Sequence, residues 1–433
     1  MAYTSSGRMP IERASKLGHV KFIDESRIQR LLESFERVDT DNDDHAGELS
    51  GHLDLSDAGE LENIVAIDGS HAAVPNAVHN HRRLAFVSAS VVILKRSVIA
   101  EMKRNPILDP RDVAGELRNS SSSKLAVLPL SGVTIPGETV VQTIRRTVDD
   151  VLRYTNLYDT LKFLISREWL LEYEMQEHMD CLECGVAFVL PRSKLSFRCP
   201  RCQAVHTLAD YLTMVQGPPD DWATEEVAIA LRTVLETLLL MDFLRVYRDR
   251  PRVLRRTLFV KDGPLLLRAQ LSRLVQPIRE FLAYLNSIGR ELHVVGVEKT
   301  GALVDHIPQI GSVLQSPGDY FLPTIKYLHE RIQGVPFVEN DYRNRVQYGS
   351  KVVVRLGPNH IVVLNVPTGD FRMEPQVQDL YGFNQSASAL SEMLSYSFEN
   401  ALIPLVLVNS ATSISMAPSN EILEVFARRL LGG

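Results

Sequence analysis

All four cysteines of the 433-residue chain fall into two Cys-x-x-Cys pairs that lie close together in the sequence. The first pair is Cys181 and Cys184, the second is Cys199 and Cys202, and 14 residues separate them. Two such pairs supply four thiolates, which can close a tetrahedral zinc site without an open position. The pattern therefore predicts a structural Zn²⁺ ion in a zinc ribbon over residues 181–202. Two disulfides are the alternative, but nothing in the sequence indicates a secreted protein.

The composition is that of an ordinary globular protein, with 45% hydrophobic and 23% charged residues. A chain of this length can bury one large core or two to three smaller ones. No apolar run approaches the roughly 20 residues that cross a bilayer, and residues 1–16 lack the apolar core of a secretory signal. We therefore expect a cytoplasmic protein without a membrane span. The net charge of −6 does not indicate nucleic-acid binding, so any DNA affinity requires a local basic surface.

Two short apolar runs, far apart in the chain, each end in Asp-Gly. One is IVAIDGS at 64–70, which contains Asp68, and the other is TLFVKDGP at 257–264, which contains Asp262. Each pattern predicts a buried strand that ends at a sheet edge. Neighbouring strands would bring the two carboxylates together, and such a pair repels unless a cation lies between them or one keeps its proton. Mg²⁺ and Mn²⁺ prefer oxygen ligands of this kind. The alternative is that each Asp-Gly simply forms a turn, which is the better explanation for either motif taken alone.

The order of several motifs resembles the NurA nuclease family. VAIDGSH is followed by the strand-like RLAFVSASVVIL, then by FVKDGPL, VVGVEKT and ALIPLVLVNSATSIS. The match runs from about Ile64 to Ser415 around a central insert. The resemblance implies an RNase H-like fold and DNA cleavage with Mn²⁺ or Mg²⁺. It also implies a homodimer with a central DNA passage and a HerA-like hexameric ATPase as partner, in DNA end processing, repair or phage defence.

The resemblance also implies roles for individual residues. Asp68 and Asp262 would ligate the catalytic metal, and Glu236, on a predicted helix before the second Asp-Gly, would supply a further ligand. Lys299, in VEKT, would lie near the scissile phosphate and neutralise its charge. Two of these residues have plainer explanations. Glu236 could be a surface residue paired with Arg232 one helical turn earlier, and a lysine at a strand end is often simply solvated.

The closing motif departs from the family pattern. Family members commonly carry Tyr-Pro followed by a histidine that completes the metal site, whereas here Ile403 precedes Pro404 and Asn409 stands where the histidine is expected. Asn409 can ligate through its carbonyl oxygen, and Glu399 is a possible substitute. The loss of the histidine leaves, as an alternative function, a catalytically weakened adaptor that binds DNA and the ATPase. An RNase H-like enzyme acting on RNA is a further alternative, because contact with a 2′-hydroxyl leaves no motif.

A run of arginines precedes the second Asp-Gly strand, with six arginines and one acid between Arg245 and Arg256. Guanidinium groups bind phosphate through a planar fork and stack on exposed bases. A solvated helix end is the alternative, but this density of arginines favours a DNA channel. The residues predicted to bind DNA are Arg248, Arg250, Arg252, Arg255 and Arg256.

Strand patterns recur at both ends of the chain, with helical patterns between them. Ala223 to Arg248 predicts one helix, and Val346 to Val366 contains a predicted hairpin with the turn Gly357-Pro358-Asn359-His360. The predicted fold class is α/β: an RNase H-like mixed sheet flanked by helices, with a helical arm and a zinc-ribbon insert. The predicted segments are a helical and acidic N-terminus (1–60), the first part of the core (61–136), the arm with the ribbon (137–216) and the second part of the core (217–433).

Overall fold

The computed structural model describes residues 30, 46–75, 82–104, 121–170, 177–190, 196–215, 224–339, 346–395, 400–413, 422–423 and 425. All of these except residue 30 belong to one compact unit, Asp44–Gly433. The predicted segments 61–136, 137–216 and 217–433 fall within this unit. Most of the predicted segment 1–60, the substitute ligand Glu399 and most of the last 20 residues lie outside the described residues.

The described strands and helices are numbered here in chain order. The strands are β1 Ser50–His52, β2 Asn63–Pro75, β3 Arg83–Lys95, β4 Ser121–Ser131, β5 His178–Asp180, β6 Ala187–Val189, β7 Ser196–Arg198, β8 Val205–Thr207, β9 Thr257–Asp262, β10 His293–Glu298, β11 Asp319–Phe321, β12 Ser350–Gly357 and β13 His360–Val366. The α-helices are α1 Arg96–Arg104, α2 Val140–Tyr154, α3 Tyr158–Ile165, α4 Thr224–Tyr247, α5 Pro251–Arg255, α6 Val275–Ser287, α7 Ala302–Asp305, α8 Ile325–Tyr327, α9 Phe383–Ser391 and α10 Ile403–Thr412. Short 3-10 helices lie at Leu208–Leu212, Ala269–Leu274, Ile307–Val313 and Val377–Asp379, and a π-helical turn lies at Leu328–Ile332.

The longest described sheet has nine strands in the order β1-β11-β12-β13-β10-β9-β2-β3-β4. Its centre is parallel, because β9 pairs in parallel with both β2 and β10. The other neighbouring strands are antiparallel. The predicted mixed sheet flanked by helices is therefore confirmed, as are the hairpin β12–β13 and the single helix α4.

Both faces of the central strands are buried. In β2, Val65 and Ile67 pack in the core that includes α2, α3, α4 and α6, whereas Ile64 and Ala66 pack in the core that includes α9 and α10. Successive side chains of a strand point to opposite faces, so a strand covered on both sides is apolar throughout. This explains why the run before Asp68 shows no polar alternation.

The two Asp-Gly sequences have different conformations. The strand β9 ends at Asp262, and Gly263 turns the chain with a φ of +87°, which residues with a Cβ rarely adopt. In contrast, β2 continues through Asp68 to Pro75, so the prediction that this strand ends at its Asp-Gly is wrong. The register of β2 with β9 extends only to Ile67, while β2 pairs with β3 along its whole length. A gap therefore opens between β2 and β9 beside the two aspartates.

The segment predicted as a helical arm forms α2 and α3, which pack on the main core instead of projecting from it. Helix α2 contacts β4, and α3 contacts α4. The ribbon follows as two hairpins, β5–β6 and β7–β8. Met179 and Phe197 of these hairpins, and Leu208 directly after them, are buried in the same core as α2 and α3. Among the described helices, none is long and apolar enough to span a membrane.

Candidate active site

The gap between β2 and β9 opens into a pocket of about 510 Å³. The register pairs Ile67 with Lys261, which places the next residue of each strand at the same level of the sheet. Helix α4 borders the pocket on one face of the sheet and α10 on the other. Four residues that the sequence analysis singled out line the pocket together: Asp68, Glu236, Asp262 and Asn409.

Asp68 has a strongly perturbed carboxyl group. Burial, followed by the negative charges of Asp262 and Glu236, raises the pKa of Asp68 to about 7. The backbone N–H of Gly69 donates to Asp68 Oδ1 at 2.7 Å and opposes the rise only in part. No described ion pair joins Asp68 to a cationic side chain within 4.0 Å. Asp68 is therefore partly protonated near neutral pH, because burial and the neighbouring negative charges disfavour its ionised form.

Asp262 has a cationic partner at the edge of the pocket. Lys299, which follows β10, places its Nζ 2.5 Å from Asp262 Oδ2. The Lys299 side chain is 38% exposed, so water screens the pair and a competing cation can displace it at modest cost. The structure thus brings Lys299 to the second aspartate, as the family resemblance implied.

Glu236 is held by a buried ion pair. Its Oε2 lies 2.8 Å from Nζ of Lys261, and the two side chains are 5% and 4% exposed. Arg232 lies on the other side, with 3.4 Å between its Nε and Glu236 Oε1. The alternative that Glu236 is a surface residue is therefore wrong, although its predicted contact with Arg232 is present. Burial opposes the charge of Lys261, but the negative charge of Glu236 outweighs this effect and raises the pKa of Lys261.

Gly69 allows this ion pair to reach β2. A Cβ placed on Gly69 would lie 2.4 Å from Glu236 Oε1 and 2.7 Å from Arg232 Cγ. Carbon and oxygen atoms do not approach so closely without displacement of one of them. The glycine of this Asp-Gly therefore provides space for α4, whereas Gly263 provides a turn.

The oxygen atoms of the pocket are suitable ligands for a hard divalent cation, but they do not form a closed set. Of the His, Cys, Asp and Glu side chains that are described, only the four cysteines form a group of three or more whose ligand atoms all lie within 4.8 Å of one another. Asp68 and Asp262 supply carboxylate oxygens, and Asn409, exposed on α10, supplies an amide oxygen. Such oxygen donors suit Mg²⁺ and Mn²⁺.

The raised pKa of Asp68 predicts a dependence of stability on pH. Between about pH 4 and pH 7 the folded chain binds a proton at Asp68 that the unfolded chain has lost, so stability falls as the pH rises through this window. We expect Asp68→Asn to raise the melting temperature at about pH 8 without added Mn²⁺ or Mg²⁺. At about pH 5 the difference should be smaller than at pH 8 but still present, because Asp68 is then neutral in the folded chain and already ionised in the unfolded chain. Calorimetry at both pH values measures this difference. The control is Asp150→Asn, which changes an exposed aspartate on α2. A melting temperature of Asp68→Asn below that of the wild type at pH 8 would contradict the raised pKa of Asp68.

The four cysteines of the ribbon lie together, as their spacing predicts. The Sγ atoms of Cys181 and Cys202 are 3.5 Å apart, and those of Cys184 and Cys199 are 3.6 Å apart. Gly185 has a φ of +71°, in keeping with the tight turn that follows the first pair. Each pair lies in the turn region of one hairpin, so four thiolates converge as a structural zinc site requires.

A group of polar residues around the ribbon was not found from the sequence. His206 is fully buried, with its Nε2 3.2 Å from Cys181 Sγ and its Nδ1 3.1 Å from Arg145 Nη2. Arg145, on α2, also donates to both carboxylate oxygens of Asp210 at 2.8 Å. This network orients a histidine against a cysteine sulfur and ties the ribbon to α2. His206 could have been suspected from its position after Cys202, but Arg145 is too distant in the sequence to be recognised.

The arginine run does not lie at the pocket. It precedes β9, whereas Asp262 ends β9, so Arg256 lies about 20 Å from Asp262 along the strand. Arg256 pairs with Glu62, and Arg255 lies 3.5 Å from Glu60. The prediction that this run binds DNA stays a prediction. The fold does not place the run in a common channel with the carboxylates of the pocket. The cationic side chains that line the pocket are instead Arg232, Lys261 and Arg268.

No protein-family model and no curated protein sequence matches the chain. Among solved structures, the chain is similar to one described as the crystal structure of NurA. That likeness covers 96% of this chain and 98% of the other, with 12% sequence identity and a TM-score of 0.30. Identity and TM-score are both too low to support an argument about function, which has to come from the residues of this chain.

Proposed function

We propose that the chain is a metal-dependent DNA nuclease, which hydrolyses phosphodiester bonds at the pocket between β2 and β9. The observation that carries the proposal is the meeting of Asp68 and Asp262 on adjacent parallel strands at one open pocket. Burial and the negative charges of Asp262 and Glu236 raise the pKa of Asp68 to about 7, so the ionised carboxylate favours an approaching cation. A carboxyl group whose pKa is raised in this way, in an open pocket, marks a candidate functional site.

Asp68 and Asp262 would hold Mn²⁺ or Mg²⁺, with the amide oxygen of Asn409 as a further donor. Such an ion, when bound, stabilises charge on a phosphate and lowers the pKa of bound water. Lys299 lies at Asp262 and would neutralise charge on the scissile phosphate. Arg232 and Arg268, whose side chains are 32% and 41% exposed, line the same pocket and would hold neighbouring phosphates.

The substrate and the assembly follow from the sequence resemblance to the NurA family. On that basis the substrate is DNA, the chain acts as a homodimer, and a HerA-like hexameric ATPase delivers the strand. The biological context would be DNA end processing, repair or phage defence. Asn409 departs from the family pattern within the closing motif, and this departure supports a second candidate function: an adaptor that binds DNA and the ATPase without cutting.

A cleavage assay separates the two candidates. Zinc-loaded protein is incubated with labelled single-stranded and double-stranded DNA, and with RNA of the same sequence, with Mn²⁺, with Mg²⁺ and without either ion. We expect DNA fragments to appear only when Mn²⁺ or Mg²⁺ is present, and more slowly or not at all from RNA. Intact DNA in every condition, together with a shift in its electrophoretic mobility, would establish the adaptor. Fragments that form equally well without a divalent ion would contradict the metal-dependent reaction.

A further inference from the structure

The three carboxylates of the pocket differ in how firmly other charges hold them. Among the described residues, Asp68 has no cationic partner within 4.0 Å, and Asp262 has the half-exposed Lys299. Glu236 alone has a partner as deeply buried as itself, with 2.8 Å between its Oε2 and Lys261 Nζ. This order determines which carboxylates an incoming cation can recruit.

Lys261 cannot move away from Glu236 without leaving its charge unpaired. It lies within β9, where its backbone is level with Ile67 of β2 and Gly296 of β10, so the strand is fixed on both sides. Among the described residues, its Nζ also donates a hydrogen bond to the carbonyl oxygen of Asp262 at 3.0 Å. Separating a buried ion pair is strongly destabilising, because it leaves an uncompensated charge in the interior.

A divalent ion that recruited Glu236 would also meet Lys261. Binding to Glu236 would break its ion pair with the buried Lys261 ammonium, and the ion would then lie close to that ammonium. Both effects reduce the free energy gained from the new ligand. Asp68 and Asp262 present no such obstacle, since one is without a cationic partner and the other is held by a screened one. The ion therefore gains more from the two aspartates than from the glutamate.

We propose that Lys261 withholds Glu236 from the metal, so that the pocket binds a single divalent ion through Asp68 and Asp262 and the Lys261 ammonium supplies the positive charge that a second ion would bring. This inference rests on the proposed function, because it concerns the ion of the nuclease site. Lys261 is then a positioning residue, and Glu236 acts through it. Direct ligation by Glu236, as the family resemblance implied, is replaced by this indirect role.

The test is a count of bound Mn²⁺ by the electron paramagnetic resonance signal of the free ion, with zinc-loaded protein. Site-specific ions are those that the wild type binds and the double variant Asp68→Asn/Asp262→Asn does not. We expect one such ion in the wild type. The charge-neutral double variant Lys261→Met/Glu236→Gln removes the pair without changing the net charge of the pocket, and its Kd for Mn²⁺ should stay within about threefold of the wild-type value. Loss of a true ligand should weaken binding by at least the roughly 10- to 100-fold that is typical for loss of a partner of a ligand.

The single variant Lys261→Met should increase the binding of Mn²⁺. Lys261→Met releases Glu236, so we expect a second Mn²⁺ to bind or the first to bind at least about tenfold more tightly. Lys299→Met is the matched control, because it removes the other lysine of the site and should leave the count at one. If Lys261→Met does not fold, the wild-type count and the charge-neutral variant still decide the matter.

The outcomes separate this inference from the proposed function. Two site-specific ions in the wild type, or a loss of affinity in the charge-neutral variant, would overturn the role of Lys261 and leave the nuclease proposal intact. No site-specific ion at all would overturn both.

Discussion

The variants Asp68→Asn and Asp262→Asn should each lose metal-dependent DNA cleavage, with a rate at least about a hundredfold below that of the wild type. Each substitution keeps the size of the side chain and removes the charge that holds the ion. Among the described residues that line the pocket, Asp68 and Asp262 are the carboxylates that are not paired with Lys261, so neither has a described substitute there. The measurement is the initial rate of cleavage of the preferred DNA at saturating Mn²⁺.

The loss must come from chemistry and not from unfolding. We expect both variants to fold, and Asp68→Asn in particular to be no less stable than the wild type at neutral pH, since it removes a carboxylate that burial and like charges disfavour. The control Asp150→Asn changes an exposed aspartate of α2 that lies outside the pocket, and it should cleave at the wild-type rate. Undiminished cleavage by Asp68→Asn would place the reaction elsewhere.

Mutation of Asn409 then measures how much the altered closing motif weakens the binding of Mn²⁺. Asn409 lines the pocket from α10, within the same cavity as the two aspartates. Imidazole is a stronger metal ligand than an amide oxygen. A tighter Kd for Mn²⁺ in Asn409→His would place the side chain at the ion, and an unchanged Kd would leave the two aspartates as the protein ligands.

The adjacency of the two aspartates could be predicted from the sequence because the physical constraint is local. Short β-branched apolar runs without alternation are buried on both faces, and central parallel strands are the places where this occurs. What the sequence did not reveal is the different use of the two glycines. Gly263 has a positive φ, which Asp-Gly indicates, but Gly69 is required by the approach of Glu236 from α4, and that approach is a tertiary contact.

Lys261 and the arginine run show two further limits of sequence reasoning. A lysine within the apolar run TLFVKD signals a buried cation, but its partner lies 25 residues earlier on a helix, and only the packing of α4 on the sheet joins them. The density of arginines between Arg245 and Arg256 predicts a DNA channel but does not indicate where the run lies. The sequence alone could have shown that the arginines lie far from Asp262. Arg256 precedes the strand that Asp262 ends, and the two termini of a strand lie at opposite ends of the sheet.

Loss of one cysteine of the zinc ribbon is the second change for which we expect a large effect. Purified protein should contain about one zinc per chain, and Cys184→Ser should lose it, because one missing thiolate opens a site that needs four ligands. In small peptides, structural zinc contributes on the order of 10–16 kcal/mol of apparent binding free energy, and folding depends on it. Elemental analysis by mass spectrometry gives the zinc content. Glu183→Gln, in the same turn, is the matched control and should keep its zinc, whereas equal zinc content in Cys184→Ser and the wild type would refute the site.

The extent of unfolding after zinc loss depends on how the ribbon is attached. Met179 and Phe197 are buried in the core that α2 and α3 share, and Arg145 of α2 bonds to Asp210 beyond the last cysteine. We therefore expect Cys184→Ser to increase hydrogen exchange in 177–190 and 196–215 and to a smaller degree in α2. The central strands β2, β9 and β10 should keep their protection, because β3 and β13 complete their pairing without the ribbon. Uniform loss of protection across the sheet would mean that the zinc holds the whole fold, while an unchanged α2 would mean that the Arg145 contacts do not couple the ribbon to the core.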